Sequence, residues 1–218
     1  MKYITHVETN KKSLLWTFLR YIRYAASSLC LSMQGKAIKK QKKYTVAVCA
    51  IFKNEGIFLK EWLEYHLLIG VEHFYLYNNF SEDNYQETLT PYIEKGLVTL
   101  TEWPVQFGQL PAYEDCFQKA KDETQWIAYI DLDEFICLRH ELDVRNWIKK
   151  YSKYPTIYVN WKQFGTSGRL QHDNNQLVIE QYTSCWPLLA NSGKSFVNTN
   201  YIFRKFECHL FYPEIDFL

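Results

Sequence analysis

The 218 residues are 47% hydrophobic and 22% charged, enough to bury one substantial core; this excludes a disordered chain and a small disulfide scaffold. The net charge of +1 hides two unlike regions: residues 1–43 carry 10 Lys+Arg against one acid, Glu8, whereas residues 44–218 carry 15 against 23. A basic segment on an acidic body argues for an anionic surface at the segment and against nucleic acid as a partner.

Within the basic segment, Leu14 to Tyr24 is apolar but broken by Arg20 and Arg23, too short to cross a bilayer. No small-residue cleavage site of a secretory signal follows. Leucines and aromatics among Lys and Arg, flanked by Lys11-Lys12 and by Lys36, Lys39, Lys40, Lys42 and Lys43, predict a helix lying in the headgroup region of an anionic leaflet. Residues 11–43 would then be the membrane contact. Packing on the protein's own body is the alternative. Gln34 to Lys43 reads as a linker, which divides the chain into a segment 1–43 and one domain, 44–218. The cysteines Cys30, Cys49, Cys116, Cys137, Cys185 and Cys208 include no C-x-x-C pair and lie mostly in apolar runs. They predict buried, reduced thiols of a cytosolic protein.

The domain opens at Tyr44–Ile51, a buried strand ending in the polar Lys53-Asn54-Glu55. Phe58, Trp62, Tyr65 and Ile69 then recur at helical spacing and Gly70 supplies a stop. Val71–Tyr77 is a second strand, Asn78 to Asn84 a loop of turn formers, Tyr85–Ile93 a helix and Leu97–Thr101 a third strand. Pro111 suits the first turn of a helix through Cys116 and Ala120. Alternating strands and helices predict an α/β domain with a mostly parallel sheet. After Trp126, Asp143 caps a helix to Tyr151, Thr156–Asn160 is a strand, the Gly165 to Gly168 stretch allows close backbone approach to a ligand, and Leu177–Tyr182 suggests another strand.

The decisive stretch is Trp126 to Phe135, an apolar strand running into Asp131-Leu132-Asp133-Glu134. Ligands of open α/β sheets bind beyond the carboxyl ends of the strands. If the backbone stays extended, Asp131 and Asp133 face the same way, and two hard oxygen donors suit Mn2+ or Mg2+. Simple capping of a turn by Asp is the bland alternative. Against it, enclosing three acids in apolar sequence is costly without a counter-charge, which a cation would supply. Haloacid-dehalogenase-like phosphatases also carry Asp-x-Asp after a strand, but here Glu134-Phe135 follows and the motif lies in mid-chain.

Taken together, Ala50 to Glu55, Glu61-Trp62 with Tyr65-His66, Asn78-Asn79 with Ser81 and Asp83, Gln109 with Ala112-Tyr113, Ile130 to Phe135, Phe164 to Gly168, Lys194 and His209 resemble the GT-A-fold glycosyltransferases. The likeness is to the family 2-like group that merges with glycosyltransferase family 92, over roughly Tyr44 to Pro213. The resemblance implies a Rossmann-like nucleotide-diphospho-sugar transferase fold with a mostly parallel sheet. It also implies metal-dependent transfer from a nucleotide-sugar, a UDP-sugar, to a glycan or lipid-linked acceptor in surface polysaccharide or lipopolysaccharide biosynthesis, at the cytoplasmic face of a membrane. Carried over by residue, Asn54, Glu55, Asn79, Ser81, Asp83 and Gln109 would flank the nucleoside. Asp131 would face the ribose or metal, Asp133 would be the main ligand, and His209 would approach the same metal. Asp133 and Glu134 are the catalytic candidates; an inverting transfer needs a general base, for which Glu134, Asp173, Glu180 and Glu207 all qualify by type. Family members continue with helix past the late histidine, so an end at Leu218 implies a shortened C-terminus. A catalytically inactive, membrane-associated interaction module is the alternative function.

Overall fold

The structure, a computed structural model, describes residues 14–37 and 41–214. Helix α1 (Leu14–Ala37) comes first and is longer than its apolar core of sequence suggests. It runs through Gln34, which the sequence reading placed in a linker. The reason is tertiary: Gln34 Nε2 donates to the Glu214 carbonyl at 3.1 Å and its Oε1 accepts from Ile202 N–H at 3.4 Å, docking this end of the helix on the body. Its Phe18, Tyr21, Tyr24, Leu29 and Met33 are exposed. No described helix is long and apolar enough to cross a membrane.

The body alternates as predicted: β1 (Tyr44–Phe52), α2 (Gly56–Leu68), β2 (His73–Asn78), α3 (Tyr85–Glu94), β3 (Val98–Glu102), α4 (Gln109–Ala120) and β4 (Thr124–Tyr129). There follow α5 (Val144–Lys149), β5 (Thr156–Asn160), α6 (Val178–Gln181), β6 (Gly193–Asn198) and the hairpin of β7 (Phe203–Phe206) with β8 (Phe211–Pro213). The sheet order is β3-β2-β1-β4-β6-β5. β3, β2, β1 and β4 are parallel, and β6 runs antiparallel to both β4 and β5. The expected α/β, mostly parallel architecture is therefore present.

Alternation along the strands loads both faces of the sheet. Val46, Val48, Ala50 and Phe52 of β1 join Trp126, Ala128 and Ile130 under α2, α3 and α5, with Trp62, Leu89 and Ile148 from those helices. Ala47, Cys49, Ile127 and Tyr129 pack on the other face against Tyr113, Cys116 and Phe117 of α4 and against Phe206 and Phe211 of the hairpin. Gly70, at φ +94, ends α2 as expected, and Asp143 caps α5 by accepting from Arg145 N–H at 2.7 Å.

Two expectations from the sequence need correction, and β6 and the hairpin add strands that no sequence pattern predicts. The stretch Leu177–Tyr182 contains a helical turn, α6, because the Glu61 carboxylate on α2 accepts from Val178 and Ile179 N–H at 2.7 and 3.1 Å and so caps it from another element. β6 and the hairpin carry no strong strand signal, yet β6 is buried throughout. Of the cysteines, Cys49 and Cys116 are buried, whereas Cys137 and Cys185 are exposed; all six are free thiols.

Candidate active site

The side-chain alternation of β4 continues past its end. Ile130 and Leu132 are 4% and 1% exposed and belong to the α2 face of the core. Leu132 thereby anchors the acids, sending Asp131 toward α4 and β6. The backbone here is not extended, as expected from the sequence, but turns: Glu134 N–H donates to the Asp131 carbonyl at 3.2 Å, and Glu134 Oε2 accepts from Asp131 N–H at 2.9 Å. The two bonds lock residues 131–134 into a closed turn that leaves Asp133 exposed.

The expected counter-charge exists, and it is a side chain. Lys194 Nζ, on β6 and 5% exposed, lies 2.7 Å from Asp131 Oδ2 and 3.8 Å from Glu134 Oε2. Gln109 Nε2, at the start of α4, donates to Asp131 Oδ1 at 3.3 Å. Gly193 makes this possible, since a Cβ there would stand 1.9 Å from the Val159 carbonyl oxygen. Burial pushes the Glu134 carboxyl up to about 7 despite Lys194 and the Asp131 N–H. Burial also raises Glu55, partly offset by the Lys53 N–H, with Asp133, Asp131 and Asp83 adding to the rise. Glu55 therefore feels the same field as the acid turn.

Glu55, Asn79 and Gln109 line one cleft of about 490 Å3 with Ile51, Lys53, Phe107 and Cys208. The other expected nucleoside residues hold loops together. Asn54, at φ 56, donates its N–H to Ser81 Oγ at 2.9 Å and accepts from Glu82 N–H at 2.8 Å. Asp83 Oδ2 accepts from Gly56 N–H at 2.7 Å, at the positive end of α2. Asn79 Nδ2 donates to the Trp103 and Val105 carbonyls at 2.7 and 2.9 Å. Asn54, Ser81 and Asp83 thus shape the cleft rather than line it.

Among the described residues no three His, Cys, Asp or Glu side chains gather as a metal centre. The expected set of Asp131, Asp133 and His209 is therefore not assembled. His209 Nδ1–H donates to the Gly193 carbonyl at 2.9 Å, which fixes the ring with Nε2 as its acceptor nitrogen, edge-on to Trp161 at 5.3 Å. What the turn does offer is two carboxylates, one of them free of Lys194. That suits a small hard cation that keeps waters and takes its remaining ligands from phosphate oxygens.

Trp62, Tyr65 and His66 of α2 carry no role that the sequence pattern alone reveals. All three hold the segment that follows the acids. Trp62 Nε1 donates to the Glu134 carbonyl at 2.9 Å and Tyr65 OH to the Ile136 carbonyl at 3.0 Å. His66 Nδ1–H donates to the Trp62 carbonyl at 2.8 Å, and its Nε2 accepts from Ile136 N–H at 3.3 Å, so the ring is neutral. Burial lowers it to about 4. The unfolded chain takes up this proton near 6.5, so His66 costs stability as pH falls from there to about 4, by about 3 kcal/mol in all. Glu134, raised in the fold, binds a proton early and offsets that slope above its ordinary range. We expect denaturant titrations of Glu134→Gln to expose the full His66 loss between pH 7 and 4, with a flatter profile in the parent. A flat profile in the variant would contradict the neutral clamp.

The sequence profile of glycosyltransferase family 92 matches residues 42–209. This chain belongs to glycosyltransferase family 92. A family 92 protein of Ricinus communis is 32% identical over 165 residues, 73% of this chain and 30% of that protein. A galactan β-1,4-galactosyltransferase of Arabidopsis thaliana is 31% identical over 146 residues, 61% of this chain and 28% of its own length. The family 92 chain thus spans less than a third of the length of these curated relatives. A solved structure, S. aureus TarS 1–349, aligns with 71% of this chain and 47% of its own at 14% identity, with a TM-score of 0.47. In this family 92 chain the acid turn, the Lys194 pair and the cleft are all contained within the matched residues.

Proposed function

We propose that the chain transfers a hexosyl group from a nucleoside diphosphate sugar to a hydroxyl of a glycan or lipid-linked acceptor. The single observation that carries this reading is the acid turn, locked at the carboxyl end of β4 beside the cleft that Glu55, Asn79 and Gln109 line. The galactosyltransferase name of one relative makes UDP-galactose the first donor to test. Asp133 and the open side of Asp131 would hold Mn2+ or Mg2+. When bound, the cation supplies neutralisation of the charge that develops on the leaving diphosphate. The chain's own residues do the rest. Lys194 and Gln109 fix Asp131, while Glu134 closes the turn through the Asp131 N–H and through that bond serves as a positioning residue.

The experiment is a thermal-shift and product assay with UDP-galactose and other UDP-hexoses, with Mn2+ and with EDTA. Linked binding should raise the melting temperature when UDP and Mn2+ are both present, and nucleotide release should require the cation. No shift together with no release would favour the inactive-module reading.

We further propose that α1 lies on an anionic membrane surface, with its exposed Phe18, Tyr21, Ile22 and Tyr24 in the interface and the basic segment against the headgroups. Exposed free thiols at Cys137 and Cys185 suit a reducing compartment, and so the cytoplasmic face. The full chain should pellet with phosphatidylserine liposomes at low salt, and a chain starting at Tyr44 should not. Equal pelleting of the two would end the proposal.

A further inference from the structure

Two bulky side chains sit on left-handed backbone, Phe80 at φ 60 and Phe107 at φ 52. Glycine or asparagine occupies that region at little cost, while a phenylalanine there is strained and persists only where its surroundings hold it. Phe80 has a local reason to be exposed, since Lys53 Nζ stands 5.8 Å above its ring. Phe107 has none: it is 98% exposed. Its ring contributes nothing to the core, yet it lines the cleft beside Gln109.

The loop that carries it is tied on both sides of the ring. Trp103 Nε1 donates to the Gly108 carbonyl at 3.0 Å, Val105 N–H to the Trp103 carbonyl at 2.8 Å, and Asn79 ties both Trp103 and Val105. Gly108 leaves no slack, because a Cβ there would meet the Val105 carbonyl oxygen at 2.6 Å. A strained, rigidly presented and unburied aromatic ring at a ligand cleft is a platform awaiting a planar partner. Ile51 and Leu110 beside it in the cleft wall are apolar. Phosphates and sugar hydroxyls need the polar groups at the acid turn instead.

We infer that Phe107 is the stacking platform for the nucleobase of the donor, an assignment that rests on the nucleotide-sugar reading of the cleft. Stacking on a ring is tolerant of base identity, because every base has a π-face. Phe107 would supply affinity, and base choice would lie with other groups.

The test measures UDP binding to the full chain with Mn2+ by calorimetry, together with melting temperature, for the parent and for Phe107→Ala, Phe107→Leu, Phe107→Trp and Phe107→Gly. Loss of a base-stacking ring weakens binding by about tenfold or more, so Ala, Leu and Gly should show that loss while Trp stays within about twofold of the parent. Phe107→Gly should also melt no lower than the parent, since it releases the backbone strain. Retention of parental affinity by Ala or by Leu would overturn the platform and leave the nucleotide-sugar reading standing. Failure of the parent itself to bind UDP with Mn2+ would remove both.

Discussion

Asp133→Asn is expected to remove nearly all sugar transfer while the fold melts where the parent does. Asp133 is exposed at the tip of the acid turn, and among the described residues it makes no side-chain hydrogen bond or ion pair. Surface substitutions without such partners change stability by about 0.5 kcal/mol or less. The proposed transfer step stands differently, since negative charge gathering on a departing diphosphate would have to be met by a positive one. Loss of one such electrostatic contact costs a factor of about 10^2 to 10^3 in rate, and loss of the anchoring ligand of a cation costs at least as much. The measurements are turnover with UDP-hexose and Mn2+, and a melting curve for each protein. Parental turnover in the variant would reject Asp133 as the cation-holding group. A large drop in melting temperature would instead make the residue structural.

The contrast between Asp133 and its neighbours explains what the sequence could reveal. Strand and helix order through β4 was legible because each element carries its own period, and the sheet buries both faces, so Trp126 to Ile130 reads as an uninterrupted apolar run. That acids end this strand was legible for the same reason. Their division of labour was not. Asp131 is held by Lys194 from a strand 63 residues further on, and β6 itself reads weakly because Lys194-Ser195 interrupts its apolar pattern. The α6 turn was misread as a strand since its cap comes from Glu61, which no local pattern contains. Asn54, Ser81 and Asp83 belong together by resemblance, but their bonding across two loops is a tertiary feature that no local pattern contains. Phe107 gave no signal at all: a phenylalanine in a loop sequence does not announce a left-handed backbone.

Lys194→Ala should damage both stability and activity, and the way the damage is repaired distinguishes this pair from Asp133. The ammonium is 5% exposed and bonded to a carboxylate at 2.7 Å, with a second carboxylate at 3.8 Å. Breaking a buried pair by deleting one partner costs about 3 to 5 kcal/mol, because the remaining charge is stranded. Asp131 is 38% exposed on its side chain and water can reach it, so the lower end of that range applies to the loss of the lysine. Asp131→Asn is the more severe single change for the fold, since the enclosed ammonium then keeps only the more distant Glu134 carboxyl at 3.8 Å, which burial pushes up to about 7. Replacing both members, Lys194→Met with Asp131→Asn, leaves only the Glu134 carboxyl, which burial already pushes up to about 7 and which can take a proton, so most of the stability should return. Activity should not return in the double variant, because Asp131 is then lost from the proposed cation site. Denaturant unfolding of the parent, Lys194→Met, Asp131→Asn and the double variant that combines these two gives the coupling energy directly. Additive losses would show that Lys194 and Asp131 act independently, and the account of Lys194 as the fixed cation that aims the acid turn would then fail.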